Sequence, residues 1–180
     1  MPGAGKSYVA DYFTKAGYEY IRFGQATIDT LKKRGLEVNE QNERMIREEL
    51  RKTHGMAAYA IINLEKIDTA KKNVIIDGLY SWSEYKIIKE KFGEDFFTLA
   101  VYAPPKLRYD RLTNRADLFK NDRTHTYRSI KRADAIARDY AEIEKIEKGG
   151  PIAMADYTIV NTKGIEELKR EVNALIEKLA

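Results

Sequence analysis

The chain opens with a short glycine-rich segment that leads directly into a lysine and a serine. Gly5, Lys6 and Ser7 match the last three positions of the phosphate-binding pattern G-x-x-x-x-G-K-[S/T], and residues 1–4 match its four variable positions. Glycine has no Cβ, so at Gly3 and Gly5 the backbone can curl and turn its N–H groups toward an anion. This feature constrains the fold strongly, because such a loop joins a buried strand to the N-terminus of a helix.

The side chains of this loop point to a nucleotide. Lys6 can place an ammonium near the β- and γ-phosphates, and Ser7 can offer a hydroxyl to Mg²⁺. The stretch that follows is apolar at helical spacing, and the dipole of that helix favours the same anion. We therefore predict a nucleotide site built from Gly3, Ala4, Gly5, Lys6, Ser7 and Tyr8. The alternative is a glycine-rich turn at a ragged chain end.

The first glycine of the pattern, and the apolar strand that comes before such a loop, have no counterpart ahead of Met1. That strand lies in the middle of the sheet in this architecture. Its ~4–5 aliphatic side chains would contribute roughly 6–15 kcal/mol of burial, which is comparable with the ~5–15 kcal/mol stability of a whole domain. We expect strand 1 to be missing from this sequence and to lie upstream of Met1 in the complete protein.

Short apolar runs alternate with helical periodicity along the rest of the chain. Strands are predicted near residues 18–23, 73–77, 96–102 and 157–161, and a terminal helix over Ile165–Leu179. Buried strands that alternate with helices indicate an α/β fold, here a three-layer α/β/α arrangement with a parallel sheet. We predict a single domain over 1–180. It carries an acceptor-binding helical insertion at 25–71, broken into three helices by Gly35 and Gly55, and a lid-like helical region at 106–150.

Composition excludes several classes of site. The 180 residues include 32 basic and 28 acidic side chains, and the net charge of +4 is spread along the chain, which favours a small anionic ligand over nucleic acid. Cysteine is absent, so disulfides, thiolate metal sites and cysteine nucleophiles are excluded. No apolar run approaches ~20 residues, so we expect no membrane partner and a cytoplasmic location. The oligomeric state stays open.

Asp77 stands at the end of a predicted buried strand, where ligands bind in open α/β sheets. A carboxylate at this position can hold Mg²⁺ together with Ser7, although a turn or helix-cap aspartate is the alternative. Gly78 follows, where ATP-hydrolysing motors typically carry a glutamate that activates water. A kinase needs no such base, because its acceptor is itself the nucleophile.

Arginines supply the remaining candidate site residues. Arg108, Arg111 and Arg115 are spaced i, i+3 and i+7, close to one helix face. Arginines on a closing lid can stabilise the negative charge of phosphoryl transfer, and a solvated basic face is the alternative. We predict Lys6, Asp77, Arg111 and Arg115 as catalytic. On the acceptor side we predict Arg22, Gly78 and Arg44, with Arg47 as the alternative to Arg44.

The chain resembles P-loop small-molecule kinases of the nucleoside monophosphate kinase group, in particular the archaeal adenylate kinase-related family and the dephospho-CoA kinases. The matching segments are residues 2–7, Asp77-Gly78, 104–109 with Arg111, Arg138-Asp139, and 152–157 with Asn161. The resemblance implies that Lys6, Ser7 and Asp77 serve MgATP, that Arg111 and Arg115 belong to a lid, and that the loop carrying Asn161 and Lys163 borders the adenine. Leu79-Tyr80-Ser81 stands where adenylate kinases have Phe-Pro-Arg, which weighs against an adenylate kinase in particular.

Taken with the loop, these features predict an ATP-dependent phosphotransferase with ATP and Mg²⁺ as cofactors. Its acceptor would be a nucleotide-like small molecule, either a nucleoside monophosphate or dephospho-CoA. One alternative is a nucleotide-binding regulatory NTPase without such an acceptor; the Asn-Lys-x-Asp element that reads guanine is not complete in Asn161-Thr162-Lys163-Gly164. Nucleic-acid binding or end processing is a further alternative, but no clustered basic stripe supports it.

Overall fold

The computed structural model describes residues 1–68, 70, 72–114 and 129–179. In chain order its elements are α1 (Lys6–Lys15), β1 (Glu19–Arg22), α2 (Gln25–Lys33), α3 (Glu40–His54), α4 (Ala58–Asp68), β2 (Val74–Asp77), α5 (Trp82–Phe92), β3 (Leu99–Tyr102), α6 (Pro105–Thr113), α7 (Arg132–Glu144), α8 (Gly149–Ala153), β4 (Tyr157–Val160) and α9 (Ile165–Leu179). A 3₁₀ turn over Gly93–Asp95 follows α5.

The four described strands form two parallel pairs. β1 pairs with β2, with Ile21 opposite Ile76, and β3 pairs with β4, with Val101 opposite Ile159. Both pairs end at the glycine-rich loop. The hydroxyl of Ser7 lies 3.5 Å from the carboxylate of Asp77 at the end of β2, and the side chain of Asn161, just after β4, reaches the carbonyl of Ala4. The carboxyl ends of all four strands therefore meet at one edge, where the sequence places the phosphate-binding loop.

Apolar side chains bury the helices against both strand pairs. The first cluster joins α1 and α9 to β3 and β4 through Val9, Phe13, Val101, Ile159, Leu168 and Val172. The second joins α2, α4 and α5 to β1 through Ile21, Phe23, Ala26, Tyr59, Ala60 and Ile88. Removal of these surfaces from water stabilises the arrangement. The predicted α/β class, with a parallel sheet and helices packed on it, is confirmed.

An apolar cavity of about 570 Å³ lies between the two strand pairs, and its lining includes Val9, Phe13, Ile75 and Val101. In the described chain β2 and β3 make no ladder with each other. The residues of β2 are only half-buried, whereas the sequence predicts a strand buried on both faces. The physical reason is that one side of β2 borders this cavity. The cavity lies where the sequence predicts a central strand.

Most local signals in the sequence are found in the structure. The chain breaks at Gly35 and Gly55 into three helices as predicted, and Ser81 caps α5 in a capping box with Glu84. The strand predicted near 96–102 is too long, because residues 96–98 lie outside β3. The Gly149-Gly150-Pro151 segment opens the short helix α8. The roles of the segments 25–71 and 106–150 stay predictions, and residues 115–128 of the second lie outside the described residues.

Candidate nucleotide-binding site

The glycine-rich loop has a backbone that only glycine adopts easily. Gly3 and Gly5 have φ angles of 74° and 105°, in the left-handed region that L side chains avoid. A Cβ at Gly5 would stand 2.4 Å from Nδ2 of Asn161, and one at Gly3 would stand 2.7 Å from the carbonyl oxygen of Arg108. The loop therefore packs tightly against the segments that follow β3 and β4.

Lys6 begins α1 and turns its amine back over the loop. Its Nζ donates to the carbonyl oxygen of Met1 at 3.0 Å. Burial, and then the positive charge of Lys148, lower the pKa of Lys6 to about 8. No side chain caps the N-terminus of α1 in the described structure. The amine and the first N–H groups of the helix thus border the same space, as an anion site requires.

Ser7 and Asp77 face each other at the end of β2. The Ser7 hydroxyl lies 3.5 Å from Oδ2 of Asp77, and the Tyr20 hydroxyl donates to that oxygen at 3.1 Å. Arg22 stands directly opposite Asp77 in the β1–β2 register. A hydroxyl and a carboxylate are hard oxygen donors of the kind that Mg²⁺ takes, with water and phosphate oxygens in its remaining positions. The residues present fit that ion.

Arg111 and Asn161 close the other side of the loop. A guanidinium nitrogen of Arg111 donates to the carbonyl of Asn161 at 3.0 Å and another lies 3.4 Å from the carbonyl of Gly3. Nδ2 of Asn161 donates to the carbonyl of Ala4 at 2.8 Å. Ala4 itself is fully buried and packs in the apolar cluster that joins α1 and α9 to β3 and β4. The structure therefore brings these predicted residues together with the loop, while Arg115 lies outside the described residues.

Arg108 has a different environment from Arg111 although both lie on α6. It is 4% exposed, makes a bidentate ion pair with Asp139 of α7, and donates to the carbonyl of Pro2 at 3.1 Å. The hydroxyl of Tyr109 also donates to Asp139, at 3.0 Å. Arg108 thus holds α7 and the start of the chain against α6. Of the arginines predicted for one face of this helix, Arg108 therefore has a structural role, whereas Arg111 lies beside the loop.

A cavity of about 1000 Å³ opens above these groups. Its lining includes the predicted site residues Gly3, Gly5, Lys6, Ser7, Tyr8, Arg22, Asp77, Arg111 and Asn161. Gly78 instead borders the apolar cavity between the strand pairs, and its φ of 106° turns the chain toward Tyr80.

Besides Gly78, two further predicted residues, Arg44 and Lys163, do not line the larger cavity. Arg44 pairs with Glu48 at 2.9 Å on the exposed side of α3, and Lys163 lies 3.6 Å from Glu167 and is exposed. Arg47, the alternative to Arg44, pairs with Glu40 at 2.7 Å. The sequence placed Arg44 and Arg47 in the first helical insertion, but packing sets the rotation of α3 about its axis and so decides which of its side chains line the cavity.

The structure also adds residues to the cavity wall that sequence reasoning did not place there. Arg138 and Glu142 of α7 are joined at 3.1 Å, and Glu142 also pairs with Lys148. Burial raises the pKa of Glu142, but Lys148 and Arg138 outweigh it and hold the pKa at about 2. The i, i+4 spacing of Arg138 and Glu142 was a detectable signal, whereas nothing in the sequence around Lys148 indicated a site.

Comparison with known proteins gives the family. Residues 1–149 match a family model described as an AAA domain. The chain is 35% identical over 183 aligned positions to a UPF0200 protein of Thermococcus onnurineus, with 99% of this chain and 94% of the relative covered. The chain belongs to the UPF0200 family. Another member of this family, from Sulfurisphaera tokodaii, is 32% identical over 99% of this chain and 93% of its own length.

A solved structure agrees with the fold. The crystal structure of TT1252 from Thermus thermophilus superposes with a TM-score of 0.60 at 18% identity, over 99% of this chain and 94% of that one. Together with the AAA-domain match, this likeness confirms the predicted P-loop fold of a nucleotide-binding, kinase-like type for this UPF0200 protein. In the described part of the chain, no helix has both the length and the apolar character needed to cross a bilayer.

Proposed function

We propose that this protein is an ATP-dependent phosphotransferase that moves the γ-phosphate of ATP to a nucleotide-like small molecule, a nucleoside monophosphate or dephospho-CoA. The observation that carries the proposal is that Lys6, Ser7 and Asp77 share one cavity of about 1000 Å³ with cationic side chains of β1 and α2. A cavity of this size matches the upper range of small-ligand sites, so it has room beyond the phosphates of a single nucleotide.

On the donor side, the loop amides and Lys6 bind the phosphates. Lys6 gives up the Met1 carbonyl and donates to the β- and γ-phosphate oxygens, and the N-terminus of α1 stabilises the same charge. Arg111 is held beside Gly3 by Asn161 and supplies a further cation near the loop. Phosphoryl transfer needs positioning and electrostatic stabilisation more than covalent chemistry, and these groups provide both.

Ser7 and Asp77 are the residues that would hold Mg²⁺. When bound, the ion neutralises charge on the β- and γ-phosphates and orients them. Tyr20 keeps the Asp77 carboxylate in place by its hydrogen bond to Oδ2. This chain's own contribution is therefore a pre-oriented pair of oxygen donors at the end of β2.

On the acceptor side, Arg22 of β1 and Lys32 of α2 line the same cavity. Both carry positive charge suited to an acceptor phosphate. The residue after Asp77 is Gly78, so no carboxylate follows Asp77 to activate water, which favours an organic acceptor as the nucleophile. This supports transfer to a phosphate-bearing small molecule over simple hydrolysis.

A panel assay tests the proposal. ADP formation from MgATP is measured with AMP, CMP, UMP, dAMP and dephospho-CoA, each against a reaction without acceptor and against the Lys6→Ala variant. We expect at least one acceptor to raise turnover well above the acceptor-free rate, and Lys6→Ala to abolish the gain. Nucleotide binding without acceptor-dependent turnover would favour a regulatory NTPase instead, and turnover by Lys6→Ala within twofold of wild type would show that the loop is not the phosphate site.

A further inference from the structure

Lys148 is a buried lysine that faces the lysine of the phosphate-binding loop. It is 4% exposed, and its amine lies 5.0 Å from the ring centroid of Tyr80. Lys148 also lines the larger cavity together with Lys6. A buried cation placed against a second cation is unfavourable unless an anion joins them.

Glu142 holds Lys148 in this position. Its carboxylate pairs with the Lys148 amine, and its carbonyl accepts from the Lys148 backbone N–H at 3.1 Å. The same carboxylate takes Arg138 at 3.1 Å. One acid thus orients two cations. A lysine ammonium has three donors; Glu142 takes one, and a donor is left for a ligand.

The charge balance of the cavity points to an anionic ligand. Among the described residues, its wall carries the cationic side chains Lys6, Arg22, Lys32, Arg111, Arg138 and Lys148, against the acidic side chains Glu40, Glu43, Asp77 and Glu142. The excess is positive, and it includes the deeply buried Lys148. Glu142 carries one negative charge, whereas both Lys148 and Arg138 pair with it.

We propose that Lys148 is a second phosphate-binding lysine, which contacts the terminal phosphate of the nucleotide opposite Lys6, and that Glu142 is the positioning residue that aims it. This inference rests on the proposed function, since it takes the loop to bind a nucleoside triphosphate. Lys148 then stabilises the phosphoryl group in transfer from the side that the loop leaves open. Because that phosphate is absent from ADP, Lys148 discriminates ATP from ADP.

Calorimetric titration with MgATP and MgADP at pH 7 tests this assignment without any need for an acceptor. We expect Lys148→Met to weaken ATP binding at least tenfold and to leave ADP binding within twofold of wild type. Glu142→Gln should weaken ATP binding selectively but less, because the lysine is present and no longer aimed. Lys148→Arg should recover part of the ATP affinity. Lys145→Met is the matched control, since Lys145 is exposed three residues earlier, and it should bind both nucleotides as wild type does.

A loss of ATP affinity in Lys148→Met could come from unfolding as well as from the missing contact with phosphate, so the two causes are tested separately. If Lys148→Met unfolds, the double variant Lys148→Met/Glu142→Gln removes both charges of the pair and should show the same selective loss of ATP affinity. Equal losses for ATP and ADP, or no loss for either, would overturn the assignment while leaving the proposed function in place. Failure of the wild-type protein to bind either nucleotide would overturn both.

Discussion

Asn161 donates from Nδ2 to the carbonyl oxygen of Ala4 at 2.8 Å, although the two residues are 157 positions apart in the chain. The bond ties the end of β4 to the glycine-rich loop. Arg111 donates to the backbone carbonyl of the same Asn161 at 3.0 Å. The loop is therefore held from the side of β4 and α6 as well as by its own backbone, and its shape depends on how closely Asn161 can approach.

The close approach of Asn161 to the loop leaves no room for a side chain at position 5. We expect Gly5→Ala to weaken nucleotide binding at least tenfold, because the new Cβ would stand 2.4 Å from Nδ2 of Asn161 at a φ of 105°. The matched control is Gly17→Ala, where φ is 99° but nothing lies within 4 Å of the Cβ. Both variants should lose about 1–2 kcal/mol of stability from the left-handed backbone, but Gly17→Ala should keep its affinity. Equal affinity losses measured by titration calorimetry would contradict this reading.

The Arg108–Asp139 pair should contribute strongly to stability because it is buried. Removal of one partner leaves an unpaired charge in the interior, so Arg108→Ala should lower the free energy of unfolding by about 3–5 kcal/mol. The control is Arg34→Ala, which breaks an exposed bidentate pair with Glu49 and should cost much less, because water screens the two charges. Urea unfolding of both variants gives the two changes in unfolding free energy. Similar changes would show that the buried pair contributes no more to stability than the exposed pair does.

Nucleotide affinity should fall above pH 8. The pKa of Lys6 is lowered to about 8 by burial and by Lys148, and only its protonated amine carries the charge that attracts phosphate. Between pH 7 and pH 9 the charged fraction in the free protein drops to about a tenth, so ADP affinity should drop about tenfold. Lys6→Arg is the control, since a guanidinium stays charged throughout. A wild-type affinity that does not change between these pH values would refute the assignment.

The lowered pKa of Lys6 also predicts how the stability of the ligand-free protein depends on pH. Between about pH 8 and the unfolded value of 10.5, the unfolded chain keeps a proton on Lys6 that the folded protein has released. Stability due to this group must therefore rise with pH in that window. Lys6→Met lacks the group, so the unfolding free energy of the wild type should rise relative to that of Lys6→Met from pH 8 to pH 10.5. A difference that stays constant would show that the amine has no lowered pKa.

The apolar cavity between β2 and β3 provides a test of the sheet. An N-terminal extension of five β-branched apolar residues should enter the space beside Ile75 and Val101, because Met1 borders this cavity and the loop stands at the carboxyl edge of both strand pairs. We expect the melting temperature to rise by at least ~5 °C, since 1 kcal/mol shifts it ~2–4 °C in a chain of this size. An extension of equal length made of Gly and Ser is the control. Equal melting temperatures for the two extended proteins would show that the apolar extension does not form a strand between β2 and β3.

Local chemistry made much of the site predictable. Gly5, Lys6 and Ser7 are adjacent, so their shared role follows from backbone freedom and side-chain type alone. Asp77 was found because a carboxylate directly after a buried apolar run stands at the edge of a parallel sheet. The helices followed from periodicity, because the interactions that form and start a helix are local; the bond from the Glu84 backbone N–H to the Ser81 hydroxyl that caps α5 spans only three positions.

Long-range packing decided the rest. Arg108 and Arg111 lie three residues apart on α6, yet one forms a buried ion pair with Asp139 and the other reaches the loop. Lys148 stands beside Lys6 only because α7 returns the chain to the loop. The sequence by itself determined which groups can bind a phosphate, because that depends on residue type and near neighbours. Only the tertiary structure decided which cationic side chains share the cavity with the phosphate-binding loop, because the rotation of each helix and the path of the chain are set by burial over the whole molecule.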